Sequence, residues 1–306
     1  MGTAKRMGTA KKKGTVGVVG LGIMGGAFAK NLVAAGWRVI GYDIDPVRRR
    51  ALAKAGVELA ADARHLAGAA RTIITSLPKP AALAATVAAI ADAGSRPVVV
   101  IETSTFALAD KLAAAGKLKA AGHLMLDCPI SGTGAQAKSK DIVVYASGDR
   151  NAIKRLRPLF AGFARSAHDL GALGNGSRMK YVANLLVAIN NVAAAEAMVL
   201  GIKAGLDAQD IVKVIADGAG TSRVFELRAP MMARADYQPP SMKVSIWQKD
   251  MAVIGDFARS LGVATPLFAA SAPIYDAAIG LGLDGDDTAA VCAVLERMAG
   301  IERRSR

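Results

Sequence analysis

The feature that most constrains this chain is a glycine-rich turn between an apolar run and an alanine-rich segment. The turn, Gly20-Leu21-Gly22-Ile23-Met24-Gly25, follows the run Val16 to Val19 and precedes a helical pattern. In such a G-x-G-x-x-G turn the first glycine permits a tight bend, the second lets the backbone approach a pyrophosphate, and the third lets helix and strand pack closely. The helix N-terminus then offers free N–H groups to phosphates. The pattern predicts a dinucleotide site formed by Gly20, Leu21, Gly22, Ile23, Met24 and Gly25.

An acidic residue, Asp43, ends the next predicted strand, 23 positions after Gly20. A carboxylate there accepts hydrogen bonds from the adenosine ribose hydroxyls and repels a 2′-phosphate, so NAD is predicted in preference to NADP. The run Arg48-Arg49-Arg50 is the counter-argument, because arginines can serve a 2′-phosphate. We interpret this run as the solvated face of a helix.

Up to about residue 168, short apolar runs alternate with alanine-rich helical stretches. Such alternation predicts a doubly wound parallel sheet with helices on both faces, the Rossmann-type α/β class. The predicted strands are Thr15–Val19, Arg38–Tyr42, Thr72–Thr75, Val98–Ile101, Leu124–Leu126 and Ile142–Ala146. The predicted helices between them include Gly25–Ala35, Pro46–Ala55, Pro80–Ala91 and Ala107–Ala120.

From Ser177 onward the pattern is helical throughout, with N-cap residues predicted at Asp207 and Thr221-Ser222. The long apolar stretch 181–206 is interrupted by three asparagines and a glutamate, which a bilayer span would accommodate only at high cost. We therefore expect a long buried helix and no membrane partner. The predicted organisation is a basic tail at 1–13, a dinucleotide-binding domain at 14–175 and an all-α domain at 176–301, entered through this helix.

Composition excludes several classes of protein. A chain of 306 residues with 52% hydrophobic residues is not intrinsically disordered. The two cysteines, Cys128 and Cys292, form no C-x-x-C pair, which favours a reducing compartment and a cytoplasmic location, although a bond between them stays open. The three histidines have no metal-ligand spacing, so we expect no metal site.

The net charge of +14 is concentrated at the ends of the chain. Eight of the 39 lysine and arginine residues lie in segments 1–13 and 302–306. No basic patch interleaved with aromatic residues is present, so nucleic acid is not the expected partner. The moderate remaining excess suits a small anionic substrate and a pyrophosphate cofactor.

A second glycine-rich segment, 171–176, precedes Lys180 and Asn184. The i, i+4 spacing places both side chains on one face of a helix. A partly buried lysine beside a neutral amide can exchange a proton with an alcohol oxygen, and burial would lower its pKa towards the working range. An ordinary surface lysine explains the spacing equally well, so spacing alone leaves both interpretations open.

Four motifs in order resemble the β-hydroxyacid dehydrogenase family, which includes 3-hydroxyisobutyrate dehydrogenases and tartronate semialdehyde reductases. The first is the turn at 20–25, and the second is Asp127-Cys128-Pro129-Ile130-Ser131-Gly132-Thr133-Gly134-Ala135, similar to the family's DAPVSGG segment. The third is the pattern Gly171, Gly174, Gly176, Lys180 and Asn184, and the fourth is Lys249-Asp250-Met251. The resemblance covers residues 14 to 300 or nearly so.

The resemblance implies a role for each matching residue. Lys180 would be the general acid/base and Asn184 its partner. Ser131, Gly132 and Thr133 would hold the substrate carboxylate through hydroxyl and N–H donors. Leu77, Pro78, Thr105 and Lys249 would line the cofactor, although Leu77-Pro78 also suits a strand end and Ser104-Thr105 a helix cap. The segment 221–226 resembles members that act on polyhydroxylated acids such as threonate, in which Arg223 would contact the substrate, unless it is a helix-surface arginine.

Departures from the family pattern bear on the substrate. Thr133 stands where the family has its second glycine, Cys128 replaces a common alanine, and Lys140-Asp141 replaces a glycine–threonine pair. Retention of Lys180 favours alcohol or aldehyde chemistry over imine reduction. The expected activity is NAD-dependent interconversion of a small 3-hydroxy acid, 3-hydroxyisobutyrate-like or threonate-like, and its semialdehyde or keto acid. A non-catalytic NAD(P)-binding sensor or scaffold and a ketone or imine reductase are the alternatives. The long apolar helix predicts a homodimer or homotetramer.

Overall fold

The structure, a computed structural model, describes residues 13–303. The chain divides into two compact units, one ending at Lys180 and the other beginning at Tyr181. Most of the basic tail predicted at 1–13 lies outside the described residues. Of that tail, Lys13 is described, and its N–H donates to the Gly36 carbonyl oxygen at 3.1 Å.

The N-terminal unit is built on a six-stranded parallel sheet, which confirms the predicted fold class. The strand order is β3-β2-β1-β4-β5-β6, so the chain runs outward from β1 in one direction and then in the other. This reversal is the defining property of a doubly wound sheet. The strands are β1 (Thr15–Val19), β2 (Arg38–Tyr42), β3 (Glu58–Leu59), β4 (Thr72–Thr75), β5 (Val99–Glu102) and β6 (Leu124–Asp127).

Helices cover both faces of this sheet, and the strands are apolar on both sides for that reason. One face is filled by side chains such as Phe28, Leu32 and Phe163, and the other by side chains such as Leu66 and Leu83. The helices are α1 (Ile23–Ala34), α2 (Pro46–Ala53), α3 (Ala63–Ala69), α4 (Pro80–Ala91), α5 (Leu108–Ala120), α6 (Gly134–Lys138) and α7 (Arg150–Phe163).

The last residues of neighbouring strands lie in register at one edge of the sheet. Tyr42 pairs with Val19, Val19 with Thr75, Thr75 with Glu102, and Glu102 with Asp127. Every residue that directly follows a strand therefore emerges at this carboxyl edge, where open α/β sheets bind their ligands.

The strand predicted at Ile142–Ala146 does not join the parallel sheet, so that part of the prediction was wrong. It forms β8 (Val143–Ala146) in a separate three-stranded sheet, between β7 (Ile130–Ser131) and β9 (Ser166–Asp169). β8 is antiparallel to β7 and parallel to β9. The apolar run had the composition of a buried parallel strand, but its partners contribute only short or polar segments.

The C-terminal unit is helical, as predicted. The long helix α8 (Asn175–Lys203) enters it, and the predicted caps are present: Asp207 accepts from the Gln209 and Asp210 N–H groups, and Ser222 from the Phe225 N–H. The helices that follow are α9 (Ala208–Ala216), α10 (Arg223–Arg234), α11 (Val244–Ser260), α12 (Pro266–Gly280), a 3₁₀ turn at Thr288–Ala290, and α13 (Val291–Met298).

By length and composition, α8 is the one helix in the described part of the chain that could cross a membrane. One polar residue in its middle, Asn191, is nevertheless used inside the protein. The Asn191 side-chain amide is buried and donates to Tyr275 Oη at 3.0 Å and to the Thr288 carbonyl oxygen at 2.8 Å. This part of α8 therefore packs inside the C-terminal unit, since a lipid-facing position would leave these groups unpaired. The helix is only partly buried along its length, contrary to the expectation of a buried helix, because apolar side chains such as Leu186 and Leu200 are exposed.

Candidate active site

The glycine-rich turn has the close contacts that a dinucleotide cradle requires. Gly20 follows β1 with φ of +88°, and a Cβ atom on Gly25 would lie 1.9 Å from the Gly20 carbonyl oxygen. A Cβ atom on Gly22, by contrast, would have only Arg48 Nη1 within 4 Å, at 3.6 Å. The turn is thus closed on its protein side and open above Gly22, which fits a pyrophosphate at the N-terminus of α1.

Asp43 directly follows β2 and is 5% exposed. Its carboxylate accepts the N–H of Leu21 at 2.7 Å and the N–H of Asp45 at 2.8 Å. Arg48 lies against the same group, with Nη1 3.6 Å from Asp43 and Nε 3.3 Å from the Asp45 carboxylate. The structure therefore places the predicted ribose-binding acid beside the glycine-rich turn, with one arginine between two carboxylates.

The loops after β4 and β5 meet at the same edge. The Leu77 N–H donates to Ser104 Oγ at 2.9 Å, and the Ser104 N–H donates to Glu102 Oε1 at 2.9 Å. Pro78 is exposed and Thr105 half-buried. The predicted cofactor residues of the N-terminal unit, namely the turn 20–25, Asp43, Leu77, Pro78 and Thr105, thus all follow the ends of adjacent parallel strands.

The predicted carboxylate-binding segment leaves β6 and forms β7. Gly132 has φ of +130°, and a Cβ atom there would lie 2.7 Å from Ile142 Cγ2, so a side chain would be strained. Thr133 is the N-cap of α6, and with Gln136 it forms a capping box in which the Thr133 N–H donates to Gln136 Oε1 at 3.0 Å. The N–H and hydroxyl of Thr133 thus have partners within the loop. Ser131 is half-buried at the end of β7.

Lys180 and Asn184 lie one turn apart on α8 and are 9% and 5% exposed. The helix that carries them begins close to Asp127, the residue at which the predicted carboxylate-binding segment leaves β6. A Cβ atom on Gly176 would lie 2.6 Å from the Asp127 carbonyl oxygen. Gly176 is therefore required for this approach. Because Lys180 is buried, it is not an ordinary surface lysine, which was the alternative that the spacing left open.

Within the C-terminal unit, the Asn184 side chain is hydrogen-bonded to the carboxylate of Asp250. Its Nδ2 donates to Asp250 Oδ2 at 2.9 Å, and Lys249 Nζ lies 3.1 Å from Asp250 Oδ1. Lys249 is 38% exposed, whereas Asp250 is 6% exposed. Arg223, at the start of α10, forms an exposed ion pair with Glu226 at 2.9 Å.

Both cysteines are buried free thiols. Burial, reinforced by the nearby Asp127 carboxylate, raises the pKa of Cys128 well above its ordinary value. Burial also raises the pKa of Cys292 to about 12, with Glu296 adding to the effect. A thiol with a raised pKa is a poor nucleophile at neutral pH, which agrees with interpreting Cys128 as a small buried residue. Residues 13–303 contain no group of three histidine, cysteine or acidic side chains placed to hold a metal ion.

Two family models together span most of the chain. Residues 15–174 match the NAD binding domain of 6-phosphogluconate dehydrogenase, and residues 174–295 match the NAD-binding domain of NADP-dependent 3-hydroxyisobutyrate dehydrogenase. The chain belongs to the β-hydroxyacid dehydrogenase family. As a member it is a nicotinamide-dependent dehydrogenase that acts on the CH–OH group of a hydroxy acid.

Curated relatives and solved structures agree with this assignment. The chain is 34% identical to an L-threonate dehydrogenase of Cupriavidus necator over 91% of this chain and 95% of that protein. It is 28% identical to a probable 3-hydroxyisobutyrate dehydrogenase of Mycobacterium tuberculosis over 85% of this chain and 91% of that protein. The crystal structure of a 3-hydroxyisobutyrate dehydrogenase from Salmonella typhimurium is 31% identical and superposes with a TM-score of 0.82, covering 92% of this chain and 99% of that chain.

Several residues around the site could not be assigned from their sequence pattern. Asp250 was visible in the motif Lys249-Asp250-Met251, but its bond to Asn184 depends on tertiary structure. Lys111 and Glu102 gave no sequence signal, because a lysine in an alanine-rich helix has the pattern of a surface residue. Both are almost fully buried behind the carboxyl edge.

Proposed function

We propose that the protein is an NAD-dependent dehydrogenase that interconverts a small 3-hydroxy acid and its semialdehyde or keto acid, with Lys180 as general acid/base. The observation that carries the proposal is that the predicted carboxylate-binding segment and the first turn of the Lys180 helix both adjoin Asp127. The Ser177 N–H on α8 donates to the Asp127 carboxylate at 2.7 Å, and Ser131 follows Asp127 by four positions.

The chemistry assigned to the protein side chains is proton transfer and anchoring. When bound, the nicotinamide ring supplies the hydride acceptor or donor. In the oxidative direction the uncharged amine of Lys180 accepts the substrate hydroxyl proton at Nζ, and in the reverse direction its ammonium returns that proton. The Ser131 hydroxyl and the Gly132 N–H hold the substrate carboxylate. Asn184, fixed by Asp250, keeps a neutral amide one helical turn from Lys180, and we propose Lys249 for the nicotinamide end of the cofactor.

The preference for NAD over NADP rests on charge at the end of β2. Asp43 and Asp45 together carry two negative charges, and the single guanidinium of Arg48 lies between them. These three groups together carry one net negative charge, which opposes a 2′-phosphate and favours the free ribose hydroxyls of NAD, provided that Arg49 and Arg50 stay on the solvated face of α2.

For the substrate we favour a polyhydroxylated acid of the threonate class over 3-hydroxyisobutyrate. The L-threonate dehydrogenases of Cupriavidus necator and Haemophilus influenzae are 34% and 32% identical to the chain, against 28% for the mycobacterial relative. The segment 221–226 supplies the additional polar group, Arg223, for such a substrate. The substrate carboxylate would bind at Ser131 and Gly132.

We further propose a homodimer or homotetramer located in the cytoplasm. The C-terminal unit leaves large apolar side chains exposed along α8 and α13, including Val182, Leu186, Leu200 and Met298. Exposed apolar area of this kind marks protein–protein contacts. Two buried free thiols suit a reducing compartment. Light scattering after size-exclusion chromatography tests the oligomer, since a monomer would contradict it.

The activity is tested by following NADH formation with a panel of acids: L-threonate, D-threonate, 3-hydroxyisobutyrate, glycerate, serine, 3-hydroxypropionate and 4-hydroxybutyrate. NADP is run in parallel with every acid. The proposal expects the highest kcat/KM with a threonate and NAD. A higher kcat/KM with NADP contradicts the coenzyme assignment. If no acid of the panel is oxidised although the protein binds NADH, the hydroxy-acid assignment is contradicted.

A further inference from the structure

A lysine lies between two carboxylates directly behind the carboxyl edge of the sheet. Lys111, on α5, is 1% exposed, and its Nζ lies 2.7 Å from Glu102 Oε2 and 2.7 Å from Asp127 Oδ1. Glu102 and Asp127 are fully buried and are the paired last residues of β5 and β6. Charged side chains are almost never fully buried unless they are paired, as these three are.

The three groups carry a net negative charge, because one ammonium faces two carboxylates. Burial alone would lower the pKa of Lys111, but the charges of Glu102 and Asp127 outweigh it and raise that pKa above its ordinary value. The lysine is therefore protonated at neutral pH. One of the two carboxylates, Asp127, is also hydrogen-bonded to the first turn of a helix.

That helix is α8, and its first turn is bonded to the cluster. The Ser177 N–H donates to Asp127 Oδ2 at 2.7 Å, and the Ser177 hydroxyl donates to Asp127 Oδ1 at 2.9 Å. The Gly176 N–H donates to Ser147 Oγ at 2.9 Å, and this hydroxyl in turn donates to the Asp127 carbonyl oxygen at 3.1 Å. Two N–H groups that a helix start leaves without intrahelical partners are satisfied here, one by the Ser147 hydroxyl and one by the buried Asp127 carboxylate, whose charge also interacts favourably with the helix dipole.

The other carboxylate of the cluster holds the cofactor loops. Glu102 Oε1 accepts the Ser104 N–H, and Ser104 Oγ accepts the Leu77 N–H, both at 2.9 Å. One ammonium therefore connects the loops after β4 and β5 with the start of α8.

From this arrangement we propose that Lys111, Asp127 and Ser177 are positioning residues that fix the first turn of α8, and through it the place of Lys180 one turn further along. The proposal deepens the function proposed above and rests on the role given there to Lys180. Lys111 makes no contact with a reacting group in this account and acts through Asp127 and Ser177 alone.

The test uses the full-length enzyme and two variants of different severity. Ser177→Ala removes one hydroxyl and leaves the backbone N–H bond to Asp127 in place. Lys111→Met removes the cation and leaves the buried Glu102 and Asp127 carboxylates without a counter-ion, so it is the variant at risk of not folding. Because an ångström of misplacement at a reacting group costs about a hundredfold in rate, we expect kcat to fall about tenfold in Ser177→Ala and about a hundredfold in Lys111→Met. The Kd for NADH should stay unchanged in Ser177→Ala, whereas Lys111→Met also frees Glu102 beside the cofactor loops and should weaken NADH binding.

The control for lost stability is Leu118→Ala on the same helix as Lys111. Leu118 is fully buried in the core and lies two turns beyond Lys111, away from the carboxyl edge. This variant is expected to lower Tm without lowering kcat, measured below its own Tm. A loss of kcat in Leu118→Ala equal to that in Ser177→Ala would overturn the proposal, because it would show that any weakening of α5 slows the reaction.

A double-mutant cycle with Lys180→Ala separates positioning from a general structural effect. If Ser177 acts through Lys180, adding Ser177→Ala to Lys180→Ala changes the residual kcat by less than about twofold, whereas independent effects multiply. If the effects of the two substitutions on kcat multiply in the double variant, the positioning role is overturned. An unchanged kcat in the single Ser177→Ala variant overturns it as well. The single Lys180→Ala variant reports on the proposed function separately: a near-normal kcat there refutes the acid/base role and this inference with it.

Discussion

Gly176 is the position at which one added methyl group should most affect the start of α8. A Cβ atom there would lie 2.4 Å from the Tyr145 carbonyl oxygen, 2.6 Å from the Asp127 carbonyl oxygen and 3.0 Å from Pro129 Cδ. Two of these neighbours are backbone atoms, so no side-chain rotation relieves the overlap. In Gly176→Ala the helix start and the loop would have to separate by about 1 Å, at a cost of about 1–3 kcal/mol for an overpacked site.

The same displacement should slow catalysis more than it weakens binding. Lys180 follows Gly176 by four positions, and about 1 Å of misplacement at a reacting group costs on the order of a hundredfold in rate. We expect kcat to fall by that order while the Kd for NADH, measured by fluorescence titration, changes little. The three atoms nearest a Cβ on Gly176 belong to Tyr145, Asp127 and Pro129, so we expect the turn at 20–25 to keep its geometry.

Gly116→Ala is the matched control. Gly116 lies on the exposed side of α5, and a Cβ atom there meets nothing within 4 Å. Replacing a helical glycine by alanine stabilises a protein by about 0.5–1 kcal/mol, so this variant should melt slightly higher with unchanged kcat. If Gly176→Ala keeps both the kcat and the Tm of the unsubstituted enzyme, the close approach of α8 to Asp127 described here is refuted.

Other positions give further expected outcomes. Asp43→Asn removes the charge that opposes a 2′-phosphate, so the ratio of kcat/KM for NAD to that for NADP should fall about tenfold; an unchanged ratio would place coenzyme selection elsewhere. Lys140 and Ala235 have φ of +61° and +51°, and Lys140→Gly or Ala235→Gly should each stabilise the protein by about 1 kcal/mol in denaturant unfolding, whereas a lower midpoint would contradict the strain. Cys128 and Cys292 are fully buried with raised pKa values and should resist alkylation at neutral pH until the protein unfolds; rapid labelling of the native protein would count against this burial.

The parts of the site that sequence predicts are those with local causes. The turn 20–25 and Asp43 follow apolar runs directly, so their place at the carboxyl edge follows from strand order and chain direction. Lys180 and Asn184 share a helix, so their relative placement follows from helix geometry alone. These predictions needed no knowledge of long-range contacts.

The remaining features depend on contacts between distant segments. β9 (Ser166–Asp169) has the sequence Ser-Ala-His-Asp, which lacks any strand pattern, and it forms because β8 offers a free edge. Lys111 looks like a surface lysine in sequence, and only the pairing of β5 with β6 brings Glu102 and Asp127 together around it. The capping box gives Thr133 a local role that its place in the substrate segment of the family did not reveal.

We propose that Lys180, a buried lysine on α8, transfers the proton in this hydroxy-acid dehydrogenase. The most direct measurement is the kcat of Lys180→Ala with the best acid of the panel, together with its Kd for NADH. We predict a kcat lower by about three orders of magnitude, within the range that general acid–base groups contribute, and an unchanged Kd. A kcat close to that of the unsubstituted enzyme would contradict the claim.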